Sequence, residues 1–182
     1  MIYNNLVYGF TGDPSASCIY AGNAPVTTFL YNNTVVNCYT AIGNDNPNVA
    51  TVYIKNNIVQ GAVDGYFSTG DAWGSGSDYN ISNITNDLPA GQAHSKNATA
   101  VNFLNTAATS TYDLHLAPTD RAARDAGVSL AADQFLPFST DIDGNTRPQG
   151  PGWDIGADED AASNPDYRFN GWFKMKGWFK FR

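Results

Sequence analysis

Residues 141–145, Asp-Ile-Asp-Gly-Asn, place oxygen-bearing side chains at alternate positions, as the first part of a Ca²⁺-binding loop does. In such a loop the glycine stands sixth and a glutamate completes the site, whereas here the glycine stands fourth and no glutamate completes it. We therefore favour an Asx-stabilised turn whose carboxylates meet Arg147 or Arg124. We expect no cofactor and no metal, with Ca²⁺ bound by Asp141, Asp143 and Asn145 as the alternative.

Acid–base catalysis requires several convergent titratable groups, and this chain has few basic ones. The basic side chains before residue 168 are Lys55, Lys96, Arg121, Arg124 and Arg147. Only Lys55 falls in a predicted strand, where it faces outward and is expected to be solvated. The histidines are His94 and His115, and His115 alternates with leucines in a strand-like phrase that indicates a structural role. We predict no catalytic residue.

Sugar binding is a second chemistry that the composition permits, because aromatic rings can stack on sugar rings. The aromatic residues expected to be exposed are Tyr20, Tyr39, Tyr53, Tyr66, Phe67 and Trp73. Of these, Tyr53, Tyr66 and Trp73 are the candidates for glycan contact. Packing in the core or in loops explains most of the six equally well.

A repeated phrase predicts the elements that position these residues. An apolar–Asn–Asn–apolar pattern occurs three times, with its second asparagine at Asn5, Asn33 and Asn57, and Asp78-Tyr79-Asn80-Ile81 is a weaker echo. A period of this length, carried by short β-branched runs, is typical of a solenoid. The alternative is an ordinary all-β sandwich with Asn-rich turns.

The predicted fold is all-β: a right-handed parallel β-helix with coils over residues 1–87 and a closing region over 88–160. Asn5, Asn33 and Asn57 are expected to form a side-chain ladder, because equivalent residues of successive coils stack about 4.8 Å apart. Strand alternation predicts Val35, Val52, Ile54 and Ile58 inside, with Tyr53 and Lys55 outside.

The two cysteines, Cys18 and Cys38, lie in successive predicted coils. Two buried free thiols are the favoured interpretation, since cysteine packs well as a small apolar residue. A bridge between the two coils is the alternative, and the sequence does not decide between them.

The closing region carries phrases that resemble one known family. The relevant segments are 112–118 (Tyr-Asp-Leu-His-Leu-Ala-Pro), 123–127 (Ala-Arg-Asp-Ala-Gly), 140–148 (Thr-Asp-Ile-Asp-Gly-Asn-Thr-Arg-Pro) and 153–159 (Trp-Asp-Ile-Gly-Ala-Asp-Glu). They resemble the C-terminal end of secreted bacterial right-handed parallel β-helix proteins of the pectin-lyase-like type. The resemblance implies the fold and an extracellular or cell-surface location. It does not imply an activity, because the same ending occurs on lyases, adhesins and other proteins.

Residues 161–182 are predicted to form a cationic aromatic tail. Five basic and no acidic residues lie from Arg168 onward, against 17 acidic and five basic residues before it. Two six-residue units begin at Gly171 and Gly177, and their apolar and basic residues alternate as in a strand. The residues expected to link subunits are Trp172, Phe173, Lys174, Met175, Lys176, Trp178, Phe179, Lys180, Phe181 and Arg182.

These features predict a non-catalytic structural subunit at the cell surface that self-associates, with the basic tail of one molecule reaching the acidic body of the next, head to tail, into a fibre. The alternative is the C-terminal part of a polysaccharide lyase or a glycan-binding remnant of one. Expected partners are further copies of the chain and an acidic or neutral polysaccharide. Nucleic acid is excluded by the acidic body, and membrane contact through the tail is not favoured. The chain begins without a signal-peptide pattern, so we expect an upstream part to be missing.

Overall fold

The computed structural model describes residues 1–21, 27–44, 51–69, 73–107 and 111–160. Within these ranges the chain is all-β, with twelve short strands and no helix. The strands are β1 (Ile2–Tyr3), β2 (Leu6–Tyr8), β3 (Ser17–Tyr20), β4 (Thr27–Tyr31), β5 (Thr34–Val36), β6 (Thr40–Asn44), β7 (Thr51–Lys55), β8 (Ile58–Gln60), β9 (Asp64–Ser68), β10 (Ile81–Ser82), β11 (Phe103–Asn105) and β12 (Asp113–Leu116). No described helix is long and apolar enough to cross a membrane.

The first ten strands form three parallel sheets. Sheet A has the order β1-β4-β7, sheet B the order β2-β5-β8-β10, and sheet C the order β3-β6-β9. Each successive group of three strands, here called a coil, therefore adds one strand to every sheet, and the coil stack comprises β1–β3, β4–β6 and β7–β9. This order is compatible with a β-solenoid.

The Asn-Asn phrases form the corner between sheets A and B. The first asparagine of each pair has a left-handed backbone, with φ of 52° at Asn4, 51° at Asn32 and 54° at Asn56. Asparagine adopts this conformation more readily than most residues, which allows the same sharp corner in each coil.

The interior of the coil stack is apolar and close-packed. Leu30 and Ile54 lie in one register row, and Val35 and Val59 lie in another, all fully buried in the same cluster. Val52 also belongs to this cluster. Val35, Val52 and Ile54 thus face the coil interior, as predicted.

The predicted inward position of Ile58 is wrong. Ile58 is buried, but it packs with Ile81, Leu116 and Ile155 on the opposite face of sheet B. Its neighbour Val59 is the residue that points into the coil interior. The corner at residues 56–57 shifts the alternation by one residue, which exchanges the two faces of the strand that follows.

Cys18 and Cys38 form a disulfide, so the favoured interpretation of two free thiols is wrong. Cys38 is buried and Cys18 packs against the same apolar cluster. The bridge links β3 in the first coil to the segment between β5 and β6 in the second.

Residues 101–107 and 111–159 return along the coil stack and cover part of it. β11 and β12 form an antiparallel pair in this region. Leu116 and Ile155 pack on the outer face of sheet B, while Leu130, Leu136 and Trp153 pack on the outer face of sheet A.

Candidate functional site

Two of the three outer sheet faces are occupied by the chain itself. On sheet A, the rings of Phe29, Tyr53 and Phe135 form one cluster, with centroids 4.9 to 6.0 Å apart. On sheet B, Ile58 and Ile81 are fully buried beneath the closing region.

The outer face of sheet C is open within the described residues and carries a groove of about 570 Å³. Sheet C supplies Tyr20 and Phe67, which stand on either side of Gly43 in one register row. A side chain at position 43 would collide with Ser17, so glycine keeps the space between the two rings open. The groove is lined by Pro14, Ser15, Ser17, Tyr20, Tyr39, Thr40, Asp64 and Phe67.

The groove combines aromatic rings with oxygen-bearing side chains. Ser17, Thr40 and Asp64 occupy a second register row, parallel to the row of Tyr20 and Phe67. Burial, together with the nearby carboxylate of Asp87, raises the pKa of Asp64 above its ordinary value. None of the described lining residues is basic. A ligand carrying carboxylates would therefore meet a like charge and no counter-charge.

Of the three predicted glycan contacts, none lines this groove. Tyr66 is buried, because it shares a register row with the core residues Ile19 and Ile42, and its hydroxyl lies 3.2 Å from the carbonyl oxygen of Asn57. Tyr53 is stacked against Phe29 beneath the closing region, and Trp73 packs edge-on against Tyr66. The aromatic residues that line the groove are instead Tyr20, Tyr39 and Phe67.

Lys55 faces out of the coil, as predicted, but it is not simply solvated. Its ammonium group forms an ion pair with Asp133 at 2.8 Å and lies 5.2 Å above the centre of the Tyr31 ring. Asp133 belongs to the returning segment, and no sequence pattern predicts that this segment lies over the strand. Lys55 therefore fastens the closing region to sheet A.

The asparagines predicted to stack lie in one hydrogen-bonded row. Asn5 Nδ2 donates to Asn33 Oδ1 at 2.9 Å, and Asn33 Nδ2 donates to Asn57 Oδ1 at 3.0 Å. Asn80 extends the row, since its Oδ1 accepts from Asn57 Nδ2 at 2.9 Å. Each acceptor oxygen also receives the backbone N–H of the preceding asparagine. Asn33, Asn57 and Asn80 are fully buried, so these amides satisfy one another away from water.

The first asparagine of each pair has a role that the sequence analysis missed. Asn4 donates to the carbonyl of Thr140, Asn32 to that of Gly156, and Asn56 to that of Val128, at 2.7 to 3.1 Å. Because the left-handed corner turns these amides outward, they bind the closing region to successive coils. The doubled asparagine in each phrase could have indicated this role, since an inward ladder needs only one asparagine in each coil.

The phrases that carry the family resemblance build a buried polar cluster. Arg147 and Glu159 form a fully buried ion pair at 2.9 Å. Arg147 also donates to the carbonyl oxygens of Asp154, Gly156 and Ala157 at 2.8 to 3.2 Å. Burial lowers the pKa of Arg147 and raises that of Asp154, the latter to about 7. These residues hold the last described segment, up to residue 160, against the coils. They lie outside the groove.

The Ca²⁺ candidate is an Asx-type turn. Asp141 Oδ1 accepts the backbone N–H groups of Asp143 and Asn145 at 2.9 and 2.7 Å, and Asn145 turns its Nδ2 toward Asp141 Oδ2 at 3.0 Å. The expected ion pairs with Arg147 or Arg124 are absent from the described residues, because these arginines pair with Glu159 and Asp160. Asp143 instead pairs with His115 at 2.9 Å.

His115 links strand β12 to this turn. Its ring is held between Asp113 and Asp143, and Asp158 lies within the same group. The hydrogen bond that His115 donates to Asp113, reinforced by the one to Asp143, outweighs burial and raises the pKa of His115 to about 9. The protonated imidazole donates to both carboxylates, so at neutral pH His115, Asp113 and Asp143 form a salt-bridge cluster.

We expect His115→Gln to destabilise the protein in a pH-dependent way. Because the folded-state pKa is raised above the ordinary value of 6.5, the stability that His115 contributes is fully present below about pH 6.5. It is lost as the pH rises through about 9. Urea denaturation of both proteins at several pH values measures this. A gap between wild type and variant that widens toward alkaline pH would contradict the assignment.

Every residue of the predicted linking tail lies outside the described residues, which end at 160.

The described part of the chain is an all-β protein with three parallel sheets, a buried row of asparagines and a groove on the outer face of sheet C. No protein-family model, curated protein or solved structure matches the chain.

Proposed function

We propose that this chain is a right-handed parallel β-helix of extracellular type that binds a neutral polysaccharide along sheet C without acting on it chemically. One observation carries the proposal: the one outer sheet face left open by the described residues holds a groove with aromatic rings on both sides of a glycine. Aromatic faces beside hydroxyl and carboxyl oxygens are suited to a ligand that is apolar on its ring faces and polar at its edges.

The β-helix assignment is supported by three independent features. Strands return to the same three sheets in chain order, as a helical coil requires. Amides stack from coil to coil at a single corner. The closing phrases that resemble pectin-lyase-like proteins form the buried cluster at the end of the described chain. The disulfide supports the extracellular location.

A neutral rather than acidic ligand follows from the charges of the groove. Its one ionisable carboxyl group is Asp64, and no described lysine, arginine or histidine lines it. A uronate polymer would place its carboxylates beside Asp64 without compensation, which is unfavourable. The same absence supports binding without catalysis, because the described lining offers no set of convergent acid and base groups.

Affinity electrophoresis through gels that contain neutral or uronate polysaccharides tests the proposal. We expect retardation by a neutral polymer, and we expect Tyr20→Ala and Phe67→Ala each to weaken it about tenfold, since each loses contact area worth 1–2 kcal/mol. Phe135→Ala is the matched control, because Phe135 is an exposed aromatic of the closing region that packs over sheet A, away from the groove. Retardation by uronate polymers alone, or equal loss in the control, would overturn the proposal.

A further inference from the structure

The first row of the groove on sheet C has one member in each coil. Tyr20, Gly43 and Phe67 are register partners on β3, β6 and β9. Neighbouring strands of a sheet lie about 4.8 Å apart, so the two aromatic residues stand roughly 10 Å apart along the stack, with the glycine midway between them. The row therefore alternates aromatic, small and aromatic along the axis of the coil stack.

The second row of the groove supplies one oxygen-bearing side chain in each coil. Ser17, Thr40 and Asp64 are register partners on the same three strands. Each lies three residues before the member of the first row on its strand, so the two rows run side by side roughly 10 Å apart. This width is close to that of one sugar ring with its hydroxyl groups.

Aromatic residues spaced two coils apart favour one kind of glycan linkage. In a pyranose chain with equatorial bonds at both ends of each ring, the rings form a flat ribbon in which each ring is turned over relative to the next. Rings of the same orientation then recur at every second position, about two strand spacings apart. A chain with an axial bond at each linkage curves instead, so its first and third rings do not share one flat face.

We propose, on the basis of the proposed function above, that the glycan bound by sheet C is an extended, equatorially linked neutral chain that runs along the axis of the coil stack. Its first and third rings stack on Tyr20 and Phe67. The middle ring passes over Gly43, where a side chain would collide with Ser17. The hydroxyl groups at the edge of each ring meet the second row, which offers hydrogen-bond acceptors in all three coils.

Calorimetric titration with short glycans that differ in one property at a time tests this assignment. The β-linked trisaccharides cellotriose, mannotriose and xylotriose are compared with their disaccharides and with maltotriose, the axially linked isomer of cellotriose. We expect at least one β-linked trisaccharide to bind about tenfold more tightly than its disaccharide, because only the longer chain reaches both aromatic rings. Maltotriose should bind about tenfold more weakly than that trisaccharide, since it cannot reach both rings at once.

Two variants locate the contact. Phe67→Ala should bind the disaccharide within about twofold of wild type, through Tyr20, but should lose the gain from the third ring. Phe135→Ala is the matched control and should keep that gain, because its ring packs against Phe29 over sheet A. Circular dichroism of each variant separates loss of binding from loss of folding.

Four results would overturn this assignment: equal binding of cellotriose and maltotriose, a preference for maltotriose, no gain from disaccharide to trisaccharide, or an equal loss of the gain in Phe135→Ala. If no trisaccharide binds although neutral polymers retard the protein in gels, the linkage assignment fails and neutral-sugar binding stands. If neither trisaccharides nor neutral polymers bind, both fail.

Discussion

Replacement of Arg147 by alanine should lower the free energy of unfolding by about 3–5 kcal/mol, because it leaves the carboxylate of Glu159 buried without its counter-charge. Three backbone carbonyl oxygens in the same cluster also lose their donor. Both members of the ion pair are fully buried, so solvent cannot compensate for the loss. Equilibrium urea denaturation, followed by circular dichroism, measures the effect.

Arg121→Ala is the matched control for this prediction. Arg121 is an exposed arginine of the same closing region, and its replacement should change stability by less than about 0.5 kcal/mol. The double variant Arg147→Met/Glu159→Leu should recover part of the loss, because it removes both charges together. If Arg147→Ala behaved like Arg121→Ala, the buried cluster would not be what holds the closing region to the coils.

Replacement of Asn33 by leucine should cost about 1–3 kcal/mol, the second-largest expected effect. The backbone N–H and side-chain amide of Asn5 both lose their acceptor, and Asn57 Oδ1 loses a side-chain donor. Asn57 is fully buried, so water cannot replace the lost donor there, whereas Asn5 is partly exposed.

Asn5→Leu is the comparison that isolates the ladder. Asn5 stands at the open end of the row and is partly exposed, so water can replace its partners. We expect it to cost less than about 1 kcal/mol. Equal losses at both positions would mean that the row does not act through its buried amide bonds.

The sequence predicted the repeating elements well, because the signal for them is local. Doubled asparagines at a near-constant spacing reflect a left-handed corner that recurs in every coil. The strands on either side follow from their short apolar runs. What the pattern did not predict was the direction of alternation after the corner, which put Ile58 on the opposite face from the one expected. A one-residue shift at a corner exchanges the inward and outward faces of the strand that follows, and the amino-acid composition does not indicate it.

The candidate groove was only partly predictable, for a different physical reason. Which sheet face remains open depends on where residues 101–107 and 111–159 pack, and that is decided by long-range contacts. Tyr53 faces outward as expected, yet the returning segment covers it. Tyr66 was expected to be exposed but lies in the core, because its register partner is Ile42. The space between the two rings remains open because Gly43 has no side chain, and no sequence motif predicts this.

The central claim, that sheet C is a binding face for neutral sugar, is tested most directly by amide chemical-shift mapping. The isotope-labelled protein is titrated with a neutral oligosaccharide, with the corresponding uronate oligosaccharide as control. We expect chemical-shift changes concentrated at β3, β6 and β9, around Tyr20, Gly43 and Phe67, with little change at Phe29 or Ile58. Shifts centred on sheet A or the closing region, or stronger shifts with the uronate, would contradict it.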